Sequence, residues 1–426
     1  MKTMRLLMGM MSAVLAVSVL AEDPSITNVV VRQRWPWSRL VDIDYVLACD
    51  TGAQRVDVAL TAREGTETLT LPTASLSGDR RNVAKGARRI VWDPMKTAYT
   101  NDVLARFSVE LVPTPVPLYM IVDLTNTVGT AAHIEYVYEK DLTNGLWGSW
   151  VRNPITNAAG AVVVESVVWT GVATNETYKT DKLVLRRVHA GPFKMGTNQD
   201  KSVNLTKDFY AGVFEMTDAQ WAKVKGTGSG TSMPKSSISY NDLRGATNSV
   251  PPIDWPVTGD WVLSNSFIGI LRATTGLQDF DLPTEAQWEY FCRAGTTSIF
   301  HDGLSYTQGT STDDQLSLLA WWKVNSGNAA HTVGGKLPNA WGLYDTHGNV
   351  SECCLDWYGT LEGGDDPDGP IYNEAEHSPP YRSSRGFAYN TGSAGQNYQL
   401  RSGVRGIVYP HVAEATRGFR LVLNFP

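Results

Sequence analysis

Short runs in which apolar and polar residues alternate fill the first quarter of the chain. Residues 26–32, 40–47, 55–60 and 107–112 largely put every second side chain on one face, as a half-buried strand requires. Gly52, Gly65, Gly78-Asp79 and Gly86 punctuate these runs. Short strands separated by turn residues predict a small antiparallel all-β sandwich of the immunoglobulin-like kind over residues 25–112. Its charged residues fall on the polar beat and form no catalytic cluster. Pro113, Pro115 and Pro117 then predict a stiff, extended joint. Residues 113–180 read as this linker followed by lead-in strands at 118–122 and 161–169.

The pattern changes from Asp181 onward. Residues 183–189 predict a strand, and helical signals follow. Thr217 with Gln220, and Thr284 with Gln287, have the spacing of capping boxes that open helices. After the second box, Trp288, Phe291 and Cys292 share one helical face, and Gly295 suits a C-terminal cap. A third helix is expected over residues 258–273, with Trp261, Phe267, Ile268 and Leu271 as its inward stripe. The second domain, 181–426, is therefore α+β.

Composition narrows the class. A chain of 426 residues predicts two or three domains, and 42% hydrophobic with 19% charged residues predicts globular ones. Fourteen tryptophans and thirty-eight glycines point to loops pinned by aromatic anchors. The net charge of −6, with no clustered basic surface, argues against nucleic-acid binding. Lys2 and Arg5 precede an apolar run ending in small residues, so residues 1–21 are expected to be a signal peptide cut after Ala21. That run is short for a bilayer span, and the expectation is a secreted, periplasmic or cell-surface protein. Cys49, Cys292, Cys353 and Cys354 allow up to two disulfides, and no C-x-x-C pair suggests structural zinc. His301-Asp302 and His347 each stand isolated, and residues 365–369 read as a turn.

A series of blocks carries a more specific signal. These are Gly191-Pro-Phe-Lys-Met-Gly196, Val203-Asn-Leu-Thr-Lys-Asp-Phe209, Phe214-Glu-Met-Thr-Asp218 and Leu282-Pro-Thr-Glu-Ala-Gln-Trp-Glu-Tyr290. They continue with residues 333–350, Arg385-Gly386, residues 400–405 and Arg417-Gly-Phe-Arg-Leu421. In this order they resemble the formylglycine-generating-enzyme, or sulfatase-modifying-factor, family. The resemblance implies an irregular α+β domain of C-type-lectin-like fold behind the β-sandwich.

It also implies an oxidase that uses two cysteines and copper to convert a substrate cysteine to formylglycine. Here the matching positions lie near Thr391 and Gln396, the family's active-site serine corresponds to Ala388, and no cysteine follows Cys354. Copper(I) is a soft ion that needs thiolates, so copper and this oxidation are not expected. The family's Gly-Asn-Val-Trp-Glu-Trp appears as Gly348-Asn-Val-Ser-Glu-Cys353, without either tryptophan. Adjacent Cys353 and Cys354 should point to opposite faces of a strand and cannot together replace the lost pair. By resemblance, a Cys292–Cys354 disulfide is expected, with two buried free thiols as the alternative. By resemblance too, calcium would be held by Asp345, Gly348, Val350 and Glu352. Tyr389, Asn390, Asn397, Tyr398 and Tyr409 are the expected ligand surface, with a peptide, glycan or envelope protein as partner. An exported binding or structural module is the leading reading, and an oxidoreductase acting on a protein cysteine through an unorthodox site is the alternative.

Overall fold

The computed structural model of the chain describes residues 24–424 apart from 35, 50–54, 73–74, 81–82, 100–105, 131–132, 139–140, 142–150, 157–161, 247–252, 304–311 and 371–380. For residues 151–167 it describes the backbone path alone. The expected signal peptide lies outside the described residues. The chain forms two compact units, 1–116 and 117–426.

The first unit is all β. Its strands are β1 (Ser25–Gln33), β2 (Val41–Ala48), β3 (Val56–Glu64), β4 (Glu67–Leu69), β5 (Leu76–Gly78), β6 (Gly86–Trp92) and β7 (Phe107–Pro115). They form two sheets, ordered β1-β2-β6-β5 and β4-β3-β7. Alternation sorts β2 cleanly. Val41, Ile43, Tyr45 and Leu47 enter a core shared with Val56, Val58, Ile90 and Trp92. On the opposite beat Asp42 meets Arg34 and Asp44 meets Arg89. The proline-rich joint is corrected here: Pro113 and Pro115 belong to β7, opposite Val58 and Val56 of β3. β7 is an edge strand, where a missing backbone N–H can face away from the ladder.

The second unit begins ahead of the expected boundary. Strand β8 (Tyr119–Asp123) lies between β9 (Ile134–Val137) and β12 (Lys182–Val188), so it is part of the central sheet instead of a lead-in. Strands β10 (Val151–Thr156) and β11 (Val162–Val168) form a separate hairpin. The remaining strands are β13 (Gly191–Met195), β14 (Lys201–Leu205), β15 (Phe209–Gly212), β16 (Phe280–Asp281), β17 (Ser351–Trp357), β18 (Gly364–Asp365), β19 (Arg382–Arg385), β20 (Gly406–Val408), β21 (Arg417–Gly418) and β22 (Val422–Asn424). The central sheet runs β16-β22-β15-β12-β8-β9, and a four-stranded sheet runs β20-β19-β17-β21. Strand β12 is apolar on both beats because both faces are covered. Leu183 and Leu185 enter one core, and Val184 and Val188 enter the other.

The helices are α1 (Thr177–Thr180), α2 (Asp218–Lys225), α3 (Tyr240–Arg244), α4 (Phe267–Thr275), α5 (Glu285–Arg293) and α6 (Thr312–Leu319). Both expected capping boxes form, at Thr217/Gln220 and Thr284/Gln287. The third expected helix is shorter than its apolar stripe suggested. Ser266 caps α4 by accepting from Gly269 N–H, so the helix begins at Phe267. Phe267, Ile268 and Leu271 are buried, but Trp261 lies in the preceding loop and is 65% exposed. Trp221 of α2 stacks on Phe267 at 4.6 Å, which seats both helices on one face of the sheet.

Candidate functional site

The loop entering β17 sits between Trp321, β15 and the β19–β20 region. Asp345 (φ 55°), Gly348 (φ 76°) and Asn349 (φ 55°) all adopt left-handed backbone, which curls the loop tightly. Its N–H groups are tied down at Tyr344 to Val213 O (2.9 Å), Gly348 to Gly386 O (2.9 Å) and Asn349 to Trp321 O (2.8 Å). At Gly348 a Cβ would collide with Trp321 O, so this position requires glycine for space as well as for backbone angle.

Three buried carboxylates gather beneath this loop. Asp345 Oδ2 accepts from Gly334 N–H at 2.6 Å, while Oδ1 is buried without a hydrogen-bond partner. Glu215 accepts from Val350 N–H (3.0 Å) and Asn349 Nδ2 (2.6 Å). Glu352 accepts from Arg420 (2.8 Å) and Trp288 Nε1 (2.7 Å). Arg420 is itself wholly buried and also donates to the carbonyls of Gly212, Val213 and Tyr344. Burial lifts the Asp345 carboxyl to about 6. Burial, reinforced by Asp345 and Glu352, holds Glu215 well above the ordinary carboxylate range. The cluster therefore carries more carboxylate than Arg420 can balance, a deficit that a proton or a cation relieves.

Of the expected calcium set, Asp345 keeps an unclaimed oxygen. Glu352 has turned both of its oxygens to Arg420 and Trp288. Among the described residues no group of three or more His, Cys, Asp or Glu side chains is arranged to hold a metal. An ion here would rest on Asp345 Oδ1 and backbone carbonyls. The sequence reading missed Glu215 and Arg420 as members of the cluster. Both lie inside quoted blocks, 214–218 and 417–421, and that was the available signal.

The segment after β19 contains the positions expected, by resemblance, to match the family's cysteines. Thr391 Oγ1 accepts from Ala388 N–H at 3.2 Å and so caps a tight turn. Gln396 exchanges backbone hydrogen bonds with Ser393 and is exposed. Neither residue offers a thiolate. Cys292 and Cys354 are not bonded to each other, so the expected bridge is absent. Cys292 Sγ donates to Thr346 O at 3.7 Å, and burial pushes its thiol up to about 12. Cys354 is likewise buried and held well above its ordinary value, again by burial first. Successive strand residues do diverge as expected: Cys353 enters one core and Cys354 the other.

The expected ligand surface divides. Tyr389 is half-buried and its carbonyl accepts from Ser326 Oγ at 2.8 Å. Asn390 and Tyr398 are exposed. Asn397 is buried, and its Nδ2 donates to Asp313 Oδ1 at 2.9 Å, a structural role at the start of α6. Tyr409 pairs instead with Tyr381, hydroxyl to hydroxyl at 3.0 Å. His301 and His347, isolated in sequence, stack at 4.7 Å. Burial keeps both neutral, with His347 lowered to about 3.

Comparison with known proteins agrees with this architecture. A family model described as a sulfatase-modifying factor enzyme 1-like domain matches residues 170–425. The chaperone protein LppX of Paenibacillus barcinonensis is 30% identical over 220 residues, covering 43% of this chain and 75% of that protein. The formylglycine-generating enzyme of Streptomyces coelicolor is 34% identical over 107 residues, covering 21% of this chain and 31% of that enzyme. Among solved structures, Treponema denticola variable protein 1 is similar at a TM-score of 0.42 and 24% identity, covering 57% of this chain and 96% of the other. With the model match extending over more than half of its length, this chain belongs to the sulfatase-modifying factor enzyme 1-like family.

Proposed function

We propose that this chain is an exported member of the family that binds or scaffolds and does not generate formylglycine. One observation carries the reading: no cysteine follows Cys354, so the positions that by resemblance match the family's cysteines, near Thr391 and Gln396, hold no thiol, and the Thr391 hydroxyl already caps Ala388. A hydroxyl and an amide are poor ligands for copper(I). The three thiols of the second unit are buried, and burial raises the pKa of Cys292, Cys353 and Cys354, whereas reactive cysteines need an accessible thiolate. One relative is a chaperone by name and another a formylglycine-generating enzyme by name, and the donor set here favours the binding role. The partner would be a peptide, glycan or envelope protein held against the exposed Asn390 and Tyr398. Incubation with a sulfatase-type cysteine peptide, copper and a thiol reductant should leave the peptide mass unchanged. Appearance of the aldehyde mass would overturn the reading in favour of an unorthodox oxidase.

Calcium belongs to the same proposal. The surplus of carboxylate over guanidinium around Asp345 suits a hard cation. Calcium is expected to raise the melting midpoint of the wild-type chain and not of Asp345→Asn. Equal shifts in both proteins would remove the ion from this loop.

A further inference from the structure

Trp261 was expected in the core and is instead the most exposed tryptophan of the second unit among the described residues. It is not loosely held. The backbone around it is pinned by Arg244 Nη2 to Gly259 O (3.3 Å), Arg272 Nη1 to Asp260 O (2.6 Å) and Leu263 N–H to Arg244 O (2.9 Å). Arg244 is wholly buried and anchored on Asp281, so the loop is tied to the core on both sides of the indole. The ring is thus held outward on fixed backbone, where it lines a cleft.

Two adjoining clefts of about 360 and 560 Å³ flank this loop and share Asp260 and Asp279. The first is walled by Trp255 and Asp368, the second by Trp261. Among the described residues Asp260, Asp279 and Asp368 form no contact ion pair, although the charge of Arg272 is felt by Asp260 and Asp279. Lys207 stands on the rim of the first cleft. Arg272, in the wall of the second, is committed to Asp281 and the Asp260 carbonyl. The groove thus offers indole surface beside carboxylates that, among the described residues, make no contact ion pair. A guanidinium or ammonium group fits both, stacking on the ring and pairing with the acid.

We propose that this double cleft docks an extended, basic segment of another protein, placing alternate residues, arginine or lysine, in the two halves. Each cleft has its own indole wall, Trp255 in one and Trp261 in the other, and the two share an acidic centre, so two cationic side chains can be held at once, as alternate residues of an extended chain would place them. This site is separate from the loop at Asp345 and from residues 388–398, and it stands whether or not the domain oxidises cysteine.

The test uses the full chain and a fluorescein-labelled peptide of alternating arginine and glycine, read by anisotropy at low salt. Saturable binding is expected, weakening as salt shortens the Debye length below about 10 Å. Trp261→Ala should weaken it about fivefold, and Asp260→Asn with Asp279→Asn about tenfold or more. All three side chains are exposed, so the melting midpoint should not move. The control variant, Glu67→Gln with Glu110→Gln on the first unit, should bind as the wild type. The proposal fails if the peptide does not saturate, if Trp261→Ala binds normally, or if the control loses as much as the groove variants. It fails also if free arginine competes at the concentration where the peptide binds, which would reassign the groove to a small cation.

Discussion

Replacing Arg420 by methionine removes the hub of the buried cluster while nearly keeping its volume. Arg420 is wholly shielded from solvent and donates to Gly212 O (2.8 Å), Val213 O (3.0 Å), Tyr344 O (2.7 Å) and Glu352 Oε1 (2.8 Å). In the variant, Glu352 keeps Trp288 Nε1 as its partner but faces no countercharge. Breaking a buried pair from one side costs about 3–5 kcal/mol, because it leaves an uncompensated charge. The carbonyls also lose a donor, at about 1–3 kcal/mol for each that finds no replacement. Water entry and local relaxation will recover part of this, so a loss of about 4 kcal/mol is expected. That is a large share of an ordinary domain's stability of about 5–15 kcal/mol. The double variant Arg420→Met with Glu352→Gln removes the charge but keeps a hydrogen-bond acceptor, and it should regain about half the loss. Urea denaturation followed by tryptophan fluorescence measures both, with the first unit's transition as an internal reference. A loss below about 1 kcal/mol, or a double variant no more stable than the single one, would refute the account of Arg420 as the charge partner that holds β15, β17 and the 344–350 loop together.

Three further outcomes follow from the geometry. Burial and then Glu285 raise the Asp356 carboxyl from 3.8 to about 7, so the folded state holds a proton that the unfolded chain releases. The stability this contributes is complete below about pH 4 and is lost as pH rises to about 7, at up to about 1.4 kcal/mol per unit. Asp356→Asn keeps an acceptor for Glu285 N–H and should match the wild type at low pH but exceed it by about 4 kcal/mol at pH 8. Parallel pH–stability curves would contradict this. Gly348→Ala should cost about 3 kcal/mol or more in thermal or urea unfolding, since it adds a collision with Trp321 O to left-handed strain. At Gly226, equally left-handed (φ 73°) but with open space, the same change should cost only about 1 kcal/mol. Finally, iodoacetamide should leave Cys292, Cys353 and Cys354 unmodified in the native protein and label all three in denaturant without reductant. Labelling of Cys292 and Cys354 only after reduction would restore the disulfide.

Local signals in the sequence determined what lies within about four residues of its cause. Thr217 and Thr284 could be read as caps because the capping partner is three residues away, and the β2 alternation could be read because each side chain's face follows from its neighbours. The ordered motif blocks identified the family, and the lack of any cysteine after Cys354 was visible without any fold. Other features depended on chain segments distant in sequence. Trp261 fits a helical stripe, yet Ser266 starts the helix after it and Arg244 and Arg272 fasten the loop that displays it. The spacing of Pro113 and Pro115 suggested a joint, but pairing with β3 made them a strand edge. Glu215, Glu352 and Arg420 resemble surface residues in sequence; they are buried because their charges meet one another across the fold. That compensation has no local sequence pattern, since the partners come together only when β15, β17 and the segment after β21 pack.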